Sequence, residues 1–135
     1  MDILSILRND PAVLRVEQAE APAEYRESAL LFTFRYRSAS EEVEGMLGVP
    51  VALSHALPAV IYCHGGNRDL SPMRPVTACH LAAAGYVGIG SQYRGCSGSA
   101  GHDEFGGADL LDVIRLIDLT LRLPFVRKEG VYVLG

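Results

Sequence analysis

The chain has no long hydrophobic run, no excess of basic charge and little cysteine, and each shortage removes a class of function. No stretch approaches the roughly 18 uninterrupted apolar residues that a membrane helix needs, so no membrane partner is expected. The first residues, Met1-Asp2-Ile3-Leu4-Ser5-Ile6-Leu7-Arg8, carry an early acid and a short apolar stretch that Asn9-Asp10-Pro11 interrupts, unlike a secretory signal. With 12 basic against 16 acidic residues and a net charge of −4, no lysine run or basic stripe is available to gather phosphates. Nucleic acid is therefore not an expected partner, and a cytoplasmic location is the expectation.

The three cysteines, Cys63, Cys79 and Cys96, are odd in number and spread through apolar segments, unlike the dense framework of a small secreted domain. Reduced thiols are predicted. Cys63-His64 and Cys79-His80 invite a zinc reading, thiolate and imidazole being its usual ligands. Neighbouring residues diverge on a strand or a helix, however, so each pair supplies one ligand at most. Buried structural cysteines are the expectation, with no metal site.

Repeats and low-complexity segments are absent too. What remains is 135 residues, 49% of them hydrophobic, enough for one packed core. Residues 1–26 are mixed in character and read as an N-terminal extension, with a short amphipathic helix near residues 2–8. From residue 27 onward the pattern is that of a domain. Phe32, Phe34 and Tyr36 alternate with Thr33, Arg35 and Arg37, the period of a half-buried strand, and Val43, Gly45, Leu47 and Val49 alternate on the return. Ser38-Ala39-Ser40-Glu41-Glu42 is the turn of this antiparallel hairpin.

The run Ala59-Val60-Ile61-Tyr62-Cys63 lacks alternation, as expected of a central strand covered on both faces. A helix starts within Ser71-Pro72-Met73-Arg74-Pro75 and stops at Gly85, because proline is tolerated in a first turn and glycine in a left-handed cap. Residues 86–91 form the next buried strand. A longer helix spans about 108–123, with Leu110, Val113, Ile114, Ile117 and Leu121 predicted to face the core. Asp109, Asp112, Arg115, Asp118 and Arg122 are predicted to face solvent, with Asp112–Arg115 and Asp118–Arg122 as ion pairs. Pro124 ends it, and Lys128-Glu129-Gly130 connects to a last strand, Val131–Leu134. A hairpin followed by strand, helix, strand, helix, strand predicts an α/β sheet that becomes parallel after its opening strands. The last strand is as apolar as a central one, yet no element follows it in this sequence. Left alone it exposes ladder groups and apolar surface, an invitation to self-association.

Chemistry is concentrated after the strands. His64-Gly65-Gly66 follows the first parallel strand directly. An acyl-transfer enzyme needs backbone N–H groups aimed at the developing oxyanion, and glycines let a loop approach substrate closely. The plain alternative is a glycine turn that merely joins strand to helix. His64 is read as a loop-fixing side chain. The tail, Val131-Tyr132-Val133-Leu134-Gly135, reads as a strand ending on the first glycine of a G-x-S-x-G elbow, in which the serine sits on a sharp strand-to-helix turn.

These motifs, with Tyr93-Arg94-Gly95 and Asp103-Glu104-Phe105-Gly106-Gly107-Ala108-Asp109, occur in the order and spacing of prolyl oligopeptidase-like serine peptidases, a branch of the α/β-hydrolases. Over residues 58–135 the chain resembles that family. The resemblance implies that the fold is the N-terminal portion of an α/β-hydrolase sheet, incomplete at its C-terminus and ending at the nucleophile elbow. It implies cleavage of peptide or ester bonds through an acyl-enzyme by a Ser-Asp-His triad, none of whose members lies in this chain. It further implies an oxyanion-hole amide at Gly66, Gly65 shaping the loop, and Gly135 opening the elbow. No cofactor is implied. Two departures stand out. Many relatives continue the glycine pair with proline, where this chain has Asn67-Arg68-Asp69. The residues ahead of Ala59 are also too few for the β-propeller that gates many such peptidases, so peptidase and esterase stay close.

Other readings compete. Ser99, in Ser97-Gly98-Ser99-Ala100-Gly101 beside His102 and Asp103, has the wrong first residue for an elbow, and its neighbours are consecutive where a triad draws on separate elements. Gly88 and Gly90 suggest a dinucleotide fingerprint, but Tyr93 occupies the third glycine's position. Arg94, Asp103 and Glu104 follow strand ends, where α/β proteins bind ligands, and can pair with one another or meet a substrate terminus. A non-catalytic binding or assembly module, completed by a partner, is the alternative to an enzyme.

Overall fold

The computed structural model describes residues 1–65, 72–96, 107 and 110–135. Its strands are β1 Val13–Ala19, β2 Ala29–Ser38, β3 Glu41–Pro50, β4 Leu57–Tyr62, β5 Val87–Ser91 and β6 Val126–Leu134. They form one sheet in the order β1-β2-β3-β5-β4-β6. The helices are α1 Ile3–Arg8, α2 Pro75–Ala83 and α3 Leu110–Arg122, with a 3₁₀ turn at Ala23–Tyr25.

The expected hairpin is present: β2 and β3 pair antiparallel from Ala29↔Pro50 to Ser38↔Glu41, and the chain reverses through Ala39 at φ 53°. β3 continues antiparallel to β5, whereas β5, β4 and β6 run parallel, the predicted change of sense. From β4 to β5 the chain moves toward the hairpin, and from β5 to β6 it moves the other way. Crossovers in opposite directions place their helices on opposite faces. Accordingly α2 packs with Leu31 and Met46 on one face, while α1 and α3 pack with Phe32, Phe34, Tyr36, Leu47, Ile61 and Ile89 on the other. The carboxyl end of β4 is thus the point at which the order of the sheet reverses, the usual position of ligands in such folds.

α2 begins with Pro75 in its first turn and is followed by Gly85 at φ 96°, as its sequence predicts. Gly48 and Gly88 pair across β3 and β5 beneath it. A Cβ on Gly48 would run into the carbonyl of Ala78, and one on Gly88 would lie 2.8 Å from Leu81 Cβ. Gly88 is thus accounted for by close helix–sheet packing, with no nucleotide fingerprint required.

Three expectations are corrected. The N-terminal segment contains the short helix but also β1, which pairs antiparallel with β2. Only Val16 of that strand is buried and its pairing shifts between Val13 and Arg15, so alternation is too weak to betray it. In α3 the buried residues are Asp112, Leu116, Leu119 and Thr120, with Val113 and Ile117 of the expected stripe packed partly buried against the core, whereas Leu110 and Ile114 are exposed. The inward face lies roughly a third of a turn from the stripe that hydropathy selects. The predicted ion pairs change with it: Arg115 meets Asp118 at 3.5 Å, Arg122 meets Asp10 at 2.9 Å, and Asp112 turns inward to Arg94. Finally, β6 begins at Val126. Lys128-Glu129-Gly130 is an irregularity within it, Lys128 and Glu129 exposed and Gly130 buried, between the pairs Leu57↔Val126 and Ala59↔Val131.

β6 is the last strand of the sheet, and Tyr132, Val133 and Leu134 are 55%, 57% and 50% exposed. Among the described residues no helix is long and apolar enough to cross a membrane.

Candidate functional site

The carboxyl ends of β4, β5 and β6 converge because the three strands are adjacent and parallel. Cys63 N–H donates to Leu134 O at 2.8 Å, which carries the β4–β6 ladder one step past the end of β4. A Cβ on Gly135 would lie 3.9 Å from Cys63 Cβ. The segment leading into His64-Gly65 therefore stands beside the end of the chain's last strand. Gly65 is described, and no heavy atom of the described residues lies within 4 Å of the place its Cβ would take. Gly66 lies outside the described residues, as do Asn67, Arg68, Asp69, Ser97 to Gly106, Ala108 and Asp109. Ser99, His102, Asp103 and Glu104 fall in that group.

His64 is buried, its ring stacked on Tyr93 with centroids 4.0 Å apart. Both ring nitrogens face backbone carbonyls, Nδ1 at 2.8 Å from Gly65 O and Nε2 at 3.1 Å from Gln92 O. A carbonyl only accepts, so each contact engages a nitrogen as donor, and a neutral ring serves one at a time. Among the described residues neither nitrogen is turned toward a nucleophile. Tyr93 sits at φ 68°, a left-handed conformation that costs a bulky residue about 1–3 kcal/mol. Its own contacts hold it there: its N–H donates to Ser91 Oγ at 3.0 Å and its hydroxyl to His64 O at 3.0 Å. Burial raises the Cys63 thiol pKa above its ordinary value, with its contact to the Tyr93 side chain opposing in part. Cys63 is thus kept as a thiol, a poor nucleophile.

Behind this surface lies a buried polar network that the sequence reading missed. Asp112 of α3 accepts from Ser38 Oγ at 2.6 Å, from Arg94 N–H at 2.7 Å and from Arg94 Nη2 at 2.9 Å. The Tyr36 hydroxyl donates to Asp112 O at 2.6 Å and accepts from Ser91 Oγ at 2.8 Å. Burial pushes the Tyr36 hydroxyl pKa up, so it remains a donor. Arg94 thereby joins the loop after β5 to the end of β2 and to α3; the pairing with Asp103 or Glu104 considered from sequence falls on residues outside the described ones. A signal was available: Ser38 continues the inward row Phe32, Phe34, Tyr36, and Ser91 continues Val87 and Ile89, each a polar residue in apolar register.

Gln92 was missed as well. It follows β5, is buried, and uses its backbone and side chain together. Its N–H donates to Glu44 O at 2.9 Å and its carbonyl faces His64 Nε2. Its side-chain oxygen accepts from Met73 N–H at 2.9 Å, and its amide nitrogen donates to Met73 O at 2.8 Å. Nothing in the local sequence distinguishes this glutamine from a solvated one.

Comparison with known proteins supplies the fold's relatives. No protein-family model matches the chain. It is 30% identical over 105 residues to "Uncharacterized peptidase YtmA" of Bacillus subtilis (strain 168), a match covering 78% of this chain and 40% of that protein. An acetyl xylan esterase from Paenibacillus sp. R4 superposes with a TM-score of 0.68 at 17% identity, covering 97% of this chain and 48% of that one. Acetyl xylan esterase 1 from Thermoanaerobacterium sp. JW/SL YS485 gives 0.59 at 15% identity, covering 96% and 46%. Brefeldin A esterase, described as a bacterial homologue of human hormone sensitive lipase, gives 0.61 at 20% identity, covering 96% and 35%. This chain therefore has an α/β-hydrolase-type fold and spans less than half the length of these relatives.

Proposed function

We propose that this chain is the N-terminal part of a serine hydrolase of the prolyl oligopeptidase-like type, which cleaves peptide or ester bonds through an acyl-enzyme. One observation carries the reading: the 2.8 Å hydrogen bond from Cys63 N–H to Leu134 O, which sets the entrance of the glycine loop beside the end of β6. In acyl transfer the nucleophile and the amides that receive the oxyanion must lie within one substrate carbonyl of each other. Two neighbouring parallel strands that end side by side, each running into glycine-containing sequence, support that arrangement. The fold of the esterases above and the peptidase name of the Bacillus subtilis relative support a hydrolase.

In this reading Gly66 contributes an oxyanion amide and Gly65 keeps the approach open. The attacking serine, the acid and the base are supplied by sequence beyond Gly135. The 135-residue chain is accordingly inert, and the hydrolase acts in the cytoplasm on peptide or ester substrates. The test compares this chain with the same chain continued through its natural downstream sequence, using p-nitrophenyl acetate and a fluorophosphonate label. Labelling and turnover by the longer protein alone are expected. Turnover by the 135-residue chain, or a longer protein that neither labels nor hydrolyses, overturns the reading.

A second reading is favoured by the exposed row Tyr132, Val133 and Leu134 on the last strand, with Leu110 and Ile114 exposed on α3. Here the chain is a non-catalytic assembly module that associates through β6, an unpaired edge being an invitation to strand addition. Size-exclusion chromatography with light scattering separates the two readings. A defined dimer supports assembly, and a folded monomer argues against it.

A further inference from the structure

Gln92 grips both ends of the segment that joins β4 to α2. At the β4 end its carbonyl faces His64 Nε2 at 3.1 Å, next to Gly65. At the α2 end its side-chain amide engages Met73 through both backbone groups, accepting at 2.9 Å and donating at 2.8 Å. Its own N–H is fixed on Glu44 O of β3. The amide orientation is determined, since a backbone N–H only donates and a carbonyl only accepts. Met73 and Gln92 are both buried, so these bonds are shielded from competing water.

We infer that Gln92 is the positioning residue for the two described ends of the β4–α2 connection, its side chain tying Met73 and its carbonyl meeting His64, so that the entrance at His64-Gly65 keeps its place beside the end of β6 for acyl transfer. This rests on the hydrolase reading above. Preorganisation is the physical reason: donors aimed in advance need no reorganisation during reaction, whereas a loop tied at one end samples positions too distant to help. Arg94 and Asp112 brace the next loop; Gln92 touches the glycine loop itself at both anchors.

Gln92→Glu provides the decisive test. An ionised carboxylate still accepts from Met73 N–H but opposes Met73 O, whereas a protonated one donates to that carbonyl and restores both bonds. In the 135-residue chain, amide hydrogen exchange at Met73 is expected to speed up about tenfold or more at pH 7 relative to wild type at the same pH, and to return toward wild type below about pH 4.5. Gln92→Ala is expected to show the faster exchange at both pH values. In the longer protein, both variants are expected to lose roughly ten- to a hundredfold in kcat for p-nitrophenyl acetate at pH 7, with KM nearly unchanged. Exchange within twofold of wild type in both variants overturns the clamp. Faster exchange with an unaltered kcat overturns its role in acyl transfer. If the clamp behaves as expected while the wild-type longer protein hydrolyses nothing, the hydrolase reading fails, and with it the catalytic purpose assigned to Gln92.

Discussion

Arg94 Nη2 lies 2.9 Å from Asp112 Oδ1, with the two side chains 9% and 0% exposed. The pair joins the loop after β5 to α3, and Ser38 Oγ donates to the same carboxylate oxygen at 2.6 Å. A buried ion pair gains little net stability against apolar replacements, but it specifies geometry, because either charge left alone is costly. Here it decides which side of α3 faces inward.

Removing one charge is therefore predicted to cost much more than removing both. Arg94→Met leaves the Asp112 carboxylate buried without its guanidinium and is expected to lower unfolding free energy by about 3–5 kcal/mol. The double variant Arg94→Met with Asp112→Leu is expected to recover most of that loss. Urea denaturation of the single and double variants measures the coupling, and additive losses would show that the pair does not act as a unit.

The sequence shows the hairpin, β4, α2 and β5 because their signals are local: alternation at Phe32, Phe34 and Tyr36, an unbroken apolar run at 59–62, Pro75 and Gly85. It misleads at α3 because hydropathy scores Asp112 as solvent-facing, and only the tertiary placement of Arg94 supplies a counter-charge inside. β1 is hidden because an edge strand with a polar outer side has little alternation to read. At the site, the glycines and the Tyr93-Arg94-Gly95 loop are visible as motifs. Gln92 is invisible because its partners, His64, Met73 and Glu44, come from three separate segments.

Glycines separate by packing. Gly48→Ala drives a methyl into the Ala78 carbonyl, a backbone atom that cannot step aside, so a loss of about 1–3 kcal/mol or more is expected. Gly65→Ala meets no atom of the described residues and is expected to stay within about 0.5 kcal/mol of wild type. Denaturation midpoints of the two variants check the contrast. Equal losses would mean that α2 is not seated on Gly48.

Asp10 makes stability depend on acid. Burial alone would raise its carboxyl pKa, but the hydrogen bonds from Arg122 and from Ala12 N–H outweigh burial and hold it below the ordinary aspartate value. A pKa depressed in the folded state stabilises above the unfolded value of about 3.9 and is lost as pH falls through the folded value. Arg122 is substantially exposed, so the contribution is small, under about 1 kcal/mol. The difference in Tm between wild type and Asp10→Asn is expected to be steady from roughly pH 5 to 7 and to shrink toward zero as pH falls below about 3.9. A difference that persists unchanged at about pH 2, where the carboxyl is protonated in both states, would assign the effect of Asp10→Asn to something other than the ion pair.

The last prediction separates the two apolar sides of α3. Leu116 and Leu119 are buried against the sheet, while Leu110 and Ile114 are exposed on the other side. In this chain Leu119→Ala removes packed atoms and is expected to cost about 2–5 kcal/mol, whereas Ile114→Ser deletes a side chain already in water and is expected to cost about 0.5 kcal/mol or less. Chemical denaturation of the 135-residue chain measures both. In any larger protein or assembly that covers α3, Ile114→Ser should become the more damaging of the two relative to its effect here, since covering a half-exposed isoleucine gives it transfer free energy to lose. A chain in which Ile114→Ser already costs as much as Leu119→Ala would mean that the outer side is packed, returning the helix to the orientation that hydropathy alone selects.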